Sequence, residues 1–169
     1  LQRVMGTSGT HPLQVEYARV MQRATSTSSL LQTALAGTAV PGIPTTVVPN
    51  GGATTTLDKT VLARQLHMVA RMVAAGQTLG MRRQVFMVGV GGFDTHANQM
   101  RDQPGHMAQV AHSVDYFLST LSSLGLLNNV TLFTASDFGR TLLSNGDGSD
   151  HGWGAHHVIM GGAVQGGEV

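Results

Sequence analysis

Two short apolar runs, QVFMVGV at residues 84–90 and NVTLFTA at residues 129–135, constrain the fold of this chain more than any other feature. Both are rich in β-branched and aromatic side chains, and each is too short for a typical globular helix, so both read as buried strands. The first is apolar at nearly every position, as expected of a strand whose two faces are both covered by helices. The two runs also end alike. Gly91, Gly92, Phe93, Asp94, Thr95 and His96 follow the first. Ser136, Asp137 and Arg140 follow the second, before a Gly/Asn/Ser loop that closes in Asp150, His151 and Gly152.

Between the runs, residues 105–124 place Val110, Val114, Phe117 and Leu121 at helical spacing, with Gly125 just beyond. Strand, helix, strand with a crossover of this length implies a parallel pair and a right-handed connection. Parallel strands emerge at one sheet edge, where open α/β sheets place their ligand sites. Asp94, His96 and Asp137 are therefore predicted to meet at that edge, with His151 facing them.

Upstream, residues 57–79 form the clearest helix, with the stripe Leu62, Leu66, Val69 and Val73 and with His67 on its flank. Residues 13–35 also carry helical spacing, entered through His11-Pro12. The run Thr25-Ser26-Thr27-Ser28-Ser29 is a point at which that helix can divide in two. Residues 36–56 contain Pro41, Pro44 and Pro49 among glycines and threonines and read as a long loop. The expected fold class is α/β: a short, mainly parallel sheet with helices on both faces. Residues 1–169 then form a single partial domain. Leu1-Gln2-Arg3-Val4-Met5 resembles the end of a helix already under way, and Gly166-Gly167-Glu168-Val169 stops just after a strand. A fragment of this kind is expected to leave the apolar face of Val69, Val73, Val114 or Phe117 incompletely covered.

Composition narrows the functional classes. A hydrophobic share of 41% can build a core, while the charged share of 11% falls well below the usual value of about 25%. Ten Lys+Arg against nine Asp+Glu give no electrostatic basis for nucleic acid or an anionic membrane. One Trp and two Tyr make no stacking surface for single strands. No apolar run reaches the ~18 residues of a membrane span. The absence of cysteine excludes disulfides and thiolate metal sites and leaves the redox compartment open. Eight His beside seven Asp leave imidazole and carboxylate as the groups for metal binding and proton transfer.

Asp94, His96, Asp137, Asp150 and His151 form a mixed carboxylate–imidazole set of the kind that Zn²⁺ and Mn²⁺ accept. Arg140 can fork onto a phosphate or sulfate, or equally onto Asp137. Gly152 and Gly154 would let the backbone lie close to a ligand. Blander readings stand beside these. Asp137 also fits a helix N-cap, and Asp147 and Asp150 fit plain turn chemistry. His156 and His157 border a strand and read as structural. His106, one turn after Asp102, reads as half of a solvated pair.

Several ordered blocks carry a family resemblance. They are Gly92-Phe93-Asp94-Thr95-His96-Ala97-Asn98-Gln99, Thr134-Ala135-Ser136-Asp137-Phe138-Gly139-Arg140-Thr141, Ser149-Asp150-His151-Gly152-Trp153-Gly154 and Met160-Gly161-Gly162-Ala163-Val164-Gln165-Gly166-Gly167. Together they resemble a bacterial family known as domain of unknown function 1501, which looks like a relative of the alkaline phosphatase and sulfatase superfamily. That resemblance implies a partial alkaline phosphatase-like fold and a metal-dependent hydrolase of phosphate or sulfate esters, acting on a small anionic substrate. It implies a twin-arginine export signal elsewhere in the protein and a periplasmic or exported location. It also implies a divalent metal, Zn or Mn, with Asp94, His96 and His151 on one ion and Asp137 on a second. Asp94 and His96 lie closer together than the superfamily pair, and Phe138 stands where a phosphatase often has His. The segment that supplies the superfamily's nucleophile lies outside this chain, so the fragment alone is not expected to catalyse. The alternative is a non-catalytic exported binding protein that keeps the fold and one metal.

Overall fold

The structure, a computed structural model, describes residues 11–50 and 53–167. The expectation for Leu1–Met5 and the last two residues of the C-terminal expectation lie outside the described residues. The chain divides into two compact units, one within Leu1–Ala39 and Ala75–Gln84, the other formed by Val40–Ala74 and Val85–Val169.

In the first unit, helix α1 runs over Pro12–Ala36. His11 caps it, its Nδ1 accepting from the Leu13 N–H at 3.2 Å, and Pro12 stands where no intrahelical N–H is needed. The Thr/Ser run does not divide this helix. Thr25 Oγ1 donates to Met21 O and Thr33 Oγ1 to Ser29 O, both at 2.9 Å, so these hydroxyls bond back into the helix.

The second unit carries the core. Helix α2 spans Val61–Ala74, after a 3₁₀ turn at Leu57–Lys59, and helix α3 spans Gln99–Ser123. Leu62, Leu66 and Ala70 of α2 face Val114, Phe117 and Leu121 of α3, all buried. Each fully buried large side chain here contributes about 1.5–3 kcal/mol relative to exposure. Val69, Val73, Val88, Val130, Leu132 and Met160 pack around that cluster, partly buried. Of the four residues expected to show an uncovered face, Val69 and Val73 are thus partly exposed, while Val114 and Phe117 are buried. Helix α3 begins earlier than its apolar stripe suggests and carries Pro104 inside it, where proline removes one intrahelical donor.

Residues 36–56 are not a featureless loop. Strands β1 (Val47–Asn50) and β2 (Ala53–Thr56) pair antiparallel, with Val48 opposite Thr55 and Pro49 opposite Thr54. Val48 anchors this hairpin in a second cluster with Leu57, Ala63 and Tyr116. Gly51-Gly52 between a Val-containing and a Thr-rich run is a two-residue hairpin signal, which the three prolines obscured.

The sheet differs from expectation. The described residues hold three two-stranded antiparallel sheets, so the protein is mixed helix and strand without the parallel sheet anticipated. Strand β3 (Leu132–Phe133) pairs with β6 (Ile159–Met160), and β4 (Gly139–Ser144) pairs with β5 (Ser149–Gly152). Residues 84–90 form no ladder, and Val85 and Met87 are each 98% exposed. The Gly89 N–H donates instead to the Gln65 side chain at 2.9 Å. An apolar β-branched run signals extended backbone but not its neighbour. The partner of β3 lies downstream and runs antiparallel, so the inference of a shared parallel edge for Asp94 and Asp137 fails.

Candidate functional site

The β4–β5 hairpin and the loop 91–98 before α3 build the site. The hairpin turn is an Asn-Gly-Asp-Gly sequence in which Asn145 Oδ1 accepts from the N–H groups of Asp147 and Gly148 at 3.2 and 2.8 Å. Asparagine mimics a backbone turn in this way, and Gly146, at φ 109°, takes the left-handed step. The turn lies directly on the Asp94 loop. Ser149 N donates to Thr95 O at 3.4 Å, Asn145 Nδ2 to His96 O at 3.0 Å, and Gln99 N to Asp147 O at 3.1 Å. The last bond occupies a first-turn donor of α3, whose N-cap Asn98 makes no side-chain cap. A Cβ on Gly148 would stand 2.3 Å from Thr95 O, so only glycine admits this approach.

Cross-strand pairing then places the chemistry. In the β4–β5 register, Arg140 lies opposite His151 and Gly139 opposite Gly152. Gly152, at the end of β5, and Gly154 just beyond it bring the chain close to the backbone of Arg140. Arg140 reaches back as a clamp, with Nη1 donating to Ser149 O at 2.7 Å and Nη2 to Phe93 O and, at 3.2 Å, to Asp94 Oδ1. Phe138 contacts both Arg140 and His151: its ring stacks on the imidazole at 4.4 Å and 9°, and the guanidinium carbon is 5.0 Å from its centroid. Sequence reasoning assigned Phe138 no role.

At the centre, His151 Nε2 is 2.7 Å and His96 Nε2 3.0 Å from Asp94 Oδ1. One ligand atom from each of Asp94, His96 and His151 lies within 4.8 Å of the others, and all three side chains are exposed. The His151 hydrogen bond, ahead of the charges of His96, His151 and Arg140, holds the Asp94 carboxyl below its ordinary range. Asp94 is therefore firmly anionic at neutral pH. Asp150, depressed first by His96 and then by Asn145, is likewise anionic.

Residues 4–169 match the family model described as Protein of unknown function (DUF1501). The chain belongs to the DUF1501 family. No curated protein and no solved structure matches it.

Three of the four residues singled out as metal ligands in this DUF1501 chain come together: Asp94, His96 and His151. Asp137 is exposed, precedes strand β4 rather than a helix, and stands outside that group. Arg140, read as a substrate fork, directs three of its five N–H donors to two carbonyls and Asp94. His157 touches Thr134 Oγ1 at 3.3 Å beside β3, and His106 packs on the Phe93 ring at 5.4 Å. Asp102 pairs with Arg101 at 2.7 Å, and His106 acts on it through charge alone.

The donor set fits a divalent cation. Two ligands at ~2.0–2.1 Å around a tetrahedral centre lie about 3.3–3.4 Å apart. The contacts of 2.7 and 3.0 Å on Asp94 Oδ1 are shorter than that separation by roughly 0.3–0.7 Å, so the three groups would part slightly to admit an ion. Two imidazoles and one carboxylate are the mixed nitrogen–oxygen set that suits Zn²⁺ or Mn²⁺.

Proposed function

We propose that Asp94, His96 and His151 hold one divalent cation, Zn²⁺ or Mn²⁺, and that the protein is a metal-dependent hydrolase of phosphate or sulfate esters. The single observation that carries this reading is the convergence of one carboxylate and two imidazole nitrogens within 4.8 Å on an exposed surface. When bound, such an ion acidifies water and neutralises negative charge that develops on an ester oxygen.

The protein's own groups prepare the place. Asp94 supplies a charge held ionised by its neighbours. Arg140 fixes the carboxylate and ties β4 to the Asp94 loop. Phe138 stacks on His151 and restricts its ring plane. The exposure of all three ligands leaves room for a substrate oxygen to approach.

The ester-hydrolase part of the reading is supported by the resemblance of the Gly92–Gly167 blocks to relatives of the alkaline phosphatase and sulfatase superfamily. With it come a bacterial, periplasmic or exported setting, a partial alkaline phosphatase-like domain and a nucleophile contributed from outside these residues. A second reading is favoured by one observation: among the described residues no second group of three metal-ligating side chains gathers around Asp137, the acid assigned to a second ion. A protein that keeps the three-ligand site and binds without catalysis fits that arrangement.

Metal analysis of the longest expressible form, together with a screen of phosphate and sulfate esters, separates the readings. Wild type should retain about one equivalent of Zn²⁺ or Mn²⁺ per chain, the stoichiometry of a single three-ligand site. His151→Ala should lose most of it, and His156→Ala should keep it, because His156 lies outside the cluster. Equal metal in wild type and His151→Ala at matched folding removes the metal centre. Full metal without turnover of any ester selects the binding protein.

A further inference from the structure

His96 is held at both nitrogens, and the two contacts are not equivalent. Its Nδ1 is 3.0 Å from Asp150 Oδ1, and its Nε2 is 3.0 Å from Asp94 Oδ1. A neutral imidazole carries one N–H, so one contact can be a hydrogen bond and the other nitrogen presents a lone pair.

The surrounding donors decide which. Asp94 Oδ1 already receives His151 Nε2 at 2.7 Å and Arg140 Nη2 at 3.2 Å. Two donors match the two lone pairs of a carboxylate oxygen. Asp150 Oδ1 has Asn145 Nδ2 at 3.0 Å and room for a second donor. The orientation of the Asn145 amide follows from its own contacts, since Oδ1 accepts from Asp147 N and Gly148 N, while Nδ2 also donates to His96 O. Placing the proton on Nδ1 gives each carboxylate oxygen two donors. Placing it on Nε2 would crowd three onto Asp94 and leave one on Asp150.

We infer that Asp150, braced by Asn145, is the positioning residue of His96: it holds the imidazole as the Nδ1–H tautomer and so leaves the Nε2 lone pair available on the side of Asp94 and His151, where the proposed cation would sit. The consequence for metal binding rests on the centre proposed above; the tautomer itself does not. Asp150 has the geometry by which a carboxylate behind a ligating histidine fixes its tautomer and strengthens it as a ligand. Nothing in the sequence singled this pairing out, because Asp150 is adjacent to His151 and lies far from His96 along the chain.

The test uses the full chain, chelator-treated, with ¹⁵N-detected imidazole spectra recorded at a pH where histidines are neutral and His96 assigned by its loss in His96→Gln. Wild type should show His96 protonated at Nδ1 and bare at Nε2. Asp150→Ala should convert that signal to a mixture or to the Nε2–H form. Asp150→Asn, whose amide oxygen still accepts from Nδ1–H, should restore it. In a second measurement, Zn²⁺ affinity by competition with a chromophoric chelator should fall about 10–100-fold in Asp150→Ala. In Asp150→Asn it should recover to within a few-fold of wild type, since the hydrogen bond that sets the tautomer is kept. An Nε2–H form of His96 in the wild type, or an unchanged spectrum in Asp150→Ala, overturns the assignment. Wild-type protein that takes up no Zn²⁺ removes the metal centre instead, while the spectra still decide the role of Asp150.

Discussion

Around Phe117 and Leu121 the chain is fastened by apolar contact between two helices, whereas around Asp94 and His96 it is fastened by backbone approach and polar lacing. Phe117 is 2% exposed and Leu121 0%, yet the three groups of the candidate centre are all open to solvent. Apolar packing is tolerant in register and severe in volume. Polar lacing is the reverse: each bond is worth about 0.5–1.5 kcal/mol, but its geometry must be held within a few tenths of an ångström. Core and site should therefore fail separately.

The largest expected effect is on the core. Phe117→Ala removes a ring buried between α2 and α3 and should cost about 3–5 kcal/mol, read as a lowered denaturation midpoint. Zn²⁺ affinity per folded molecule should stay close to wild type, since Phe117 belongs to the buried helix core and the three ligands are exposed. A matched loss of affinity in fully folded Phe117→Ala would show that core and site are one mechanical unit.

Gly148→Ala should do the opposite. Its Cβ would meet Thr95 O at 2.3 Å and the His96 carbonyl at 2.6 Å, all backbone atoms, so the hairpin must lift off the Asp94 loop. The expected cost in stability is about 1–3 kcal/mol, smaller than for Phe117. The site should suffer more, because His151 and Asp150 move with the hairpin while Asp94 and His96 stay with the loop. Retained Zn²⁺ affinity in a folded Gly148→Ala protein would mean that the hairpin does not hold the site together.

The same contrast explains what could be read in advance. Leu62, Leu66, Val114, Phe117 and Leu121 announce α2 and α3 through helical spacing, because a helix buries a stripe that its own sequence defines. Their ends were harder to read: α3 starts at Gln99, ahead of the 105–124 expected from its stripe, and carries Pro104 inside it. Strand neighbours were not legible, since residues 84–90 and β3 say that they are extended and nothing about what they pair with. At the site, the glycine-flanked Asp94, His96 and His151 stand out as residue types, but the parallel edge expected to bring them together is not formed by the described residues. They meet because Arg140 pairs with His151 and Gly148 abuts Thr95. Asp150 with His96, and Phe138 under His151, depend on that fold-back and left no periodic signal. The turn Asn145-Gly146-Asp147-Gly148 was the clue that could have closed the hairpin.

The smallest expected effect probes the boundary between the two kinds of fastening, at His67. Its Nδ1 is 2.7 Å from the Tyr116 hydroxyl, which is itself 2.7 Å from Pro41 O. A carbonyl can only accept, so the hydroxyl proton goes to Pro41 and His67 must donate from Nδ1, which leaves Nε2 as the atom that protonates. Burial, and then the charge of Arg71, lower the His67 pKa from its ordinary 6.5. The unfolded chain therefore takes up this proton before the folded one does. Stability from keeping His67 neutral is complete above pH 6.5, declines as pH falls through 6.5 towards the folded value, and levels off below it. His67→Gln removes the titration. The difference in urea midpoint between wild type and His67→Gln should shift against wild type as pH drops below 6.5, with no such trend above it. A difference that is flat across that range, or that favours wild type more at low pH, would mean that folding raises the His67 pKa or leaves it alone. The Tyr116–Pro41 contact would then be packing in which a histidine happens to take part.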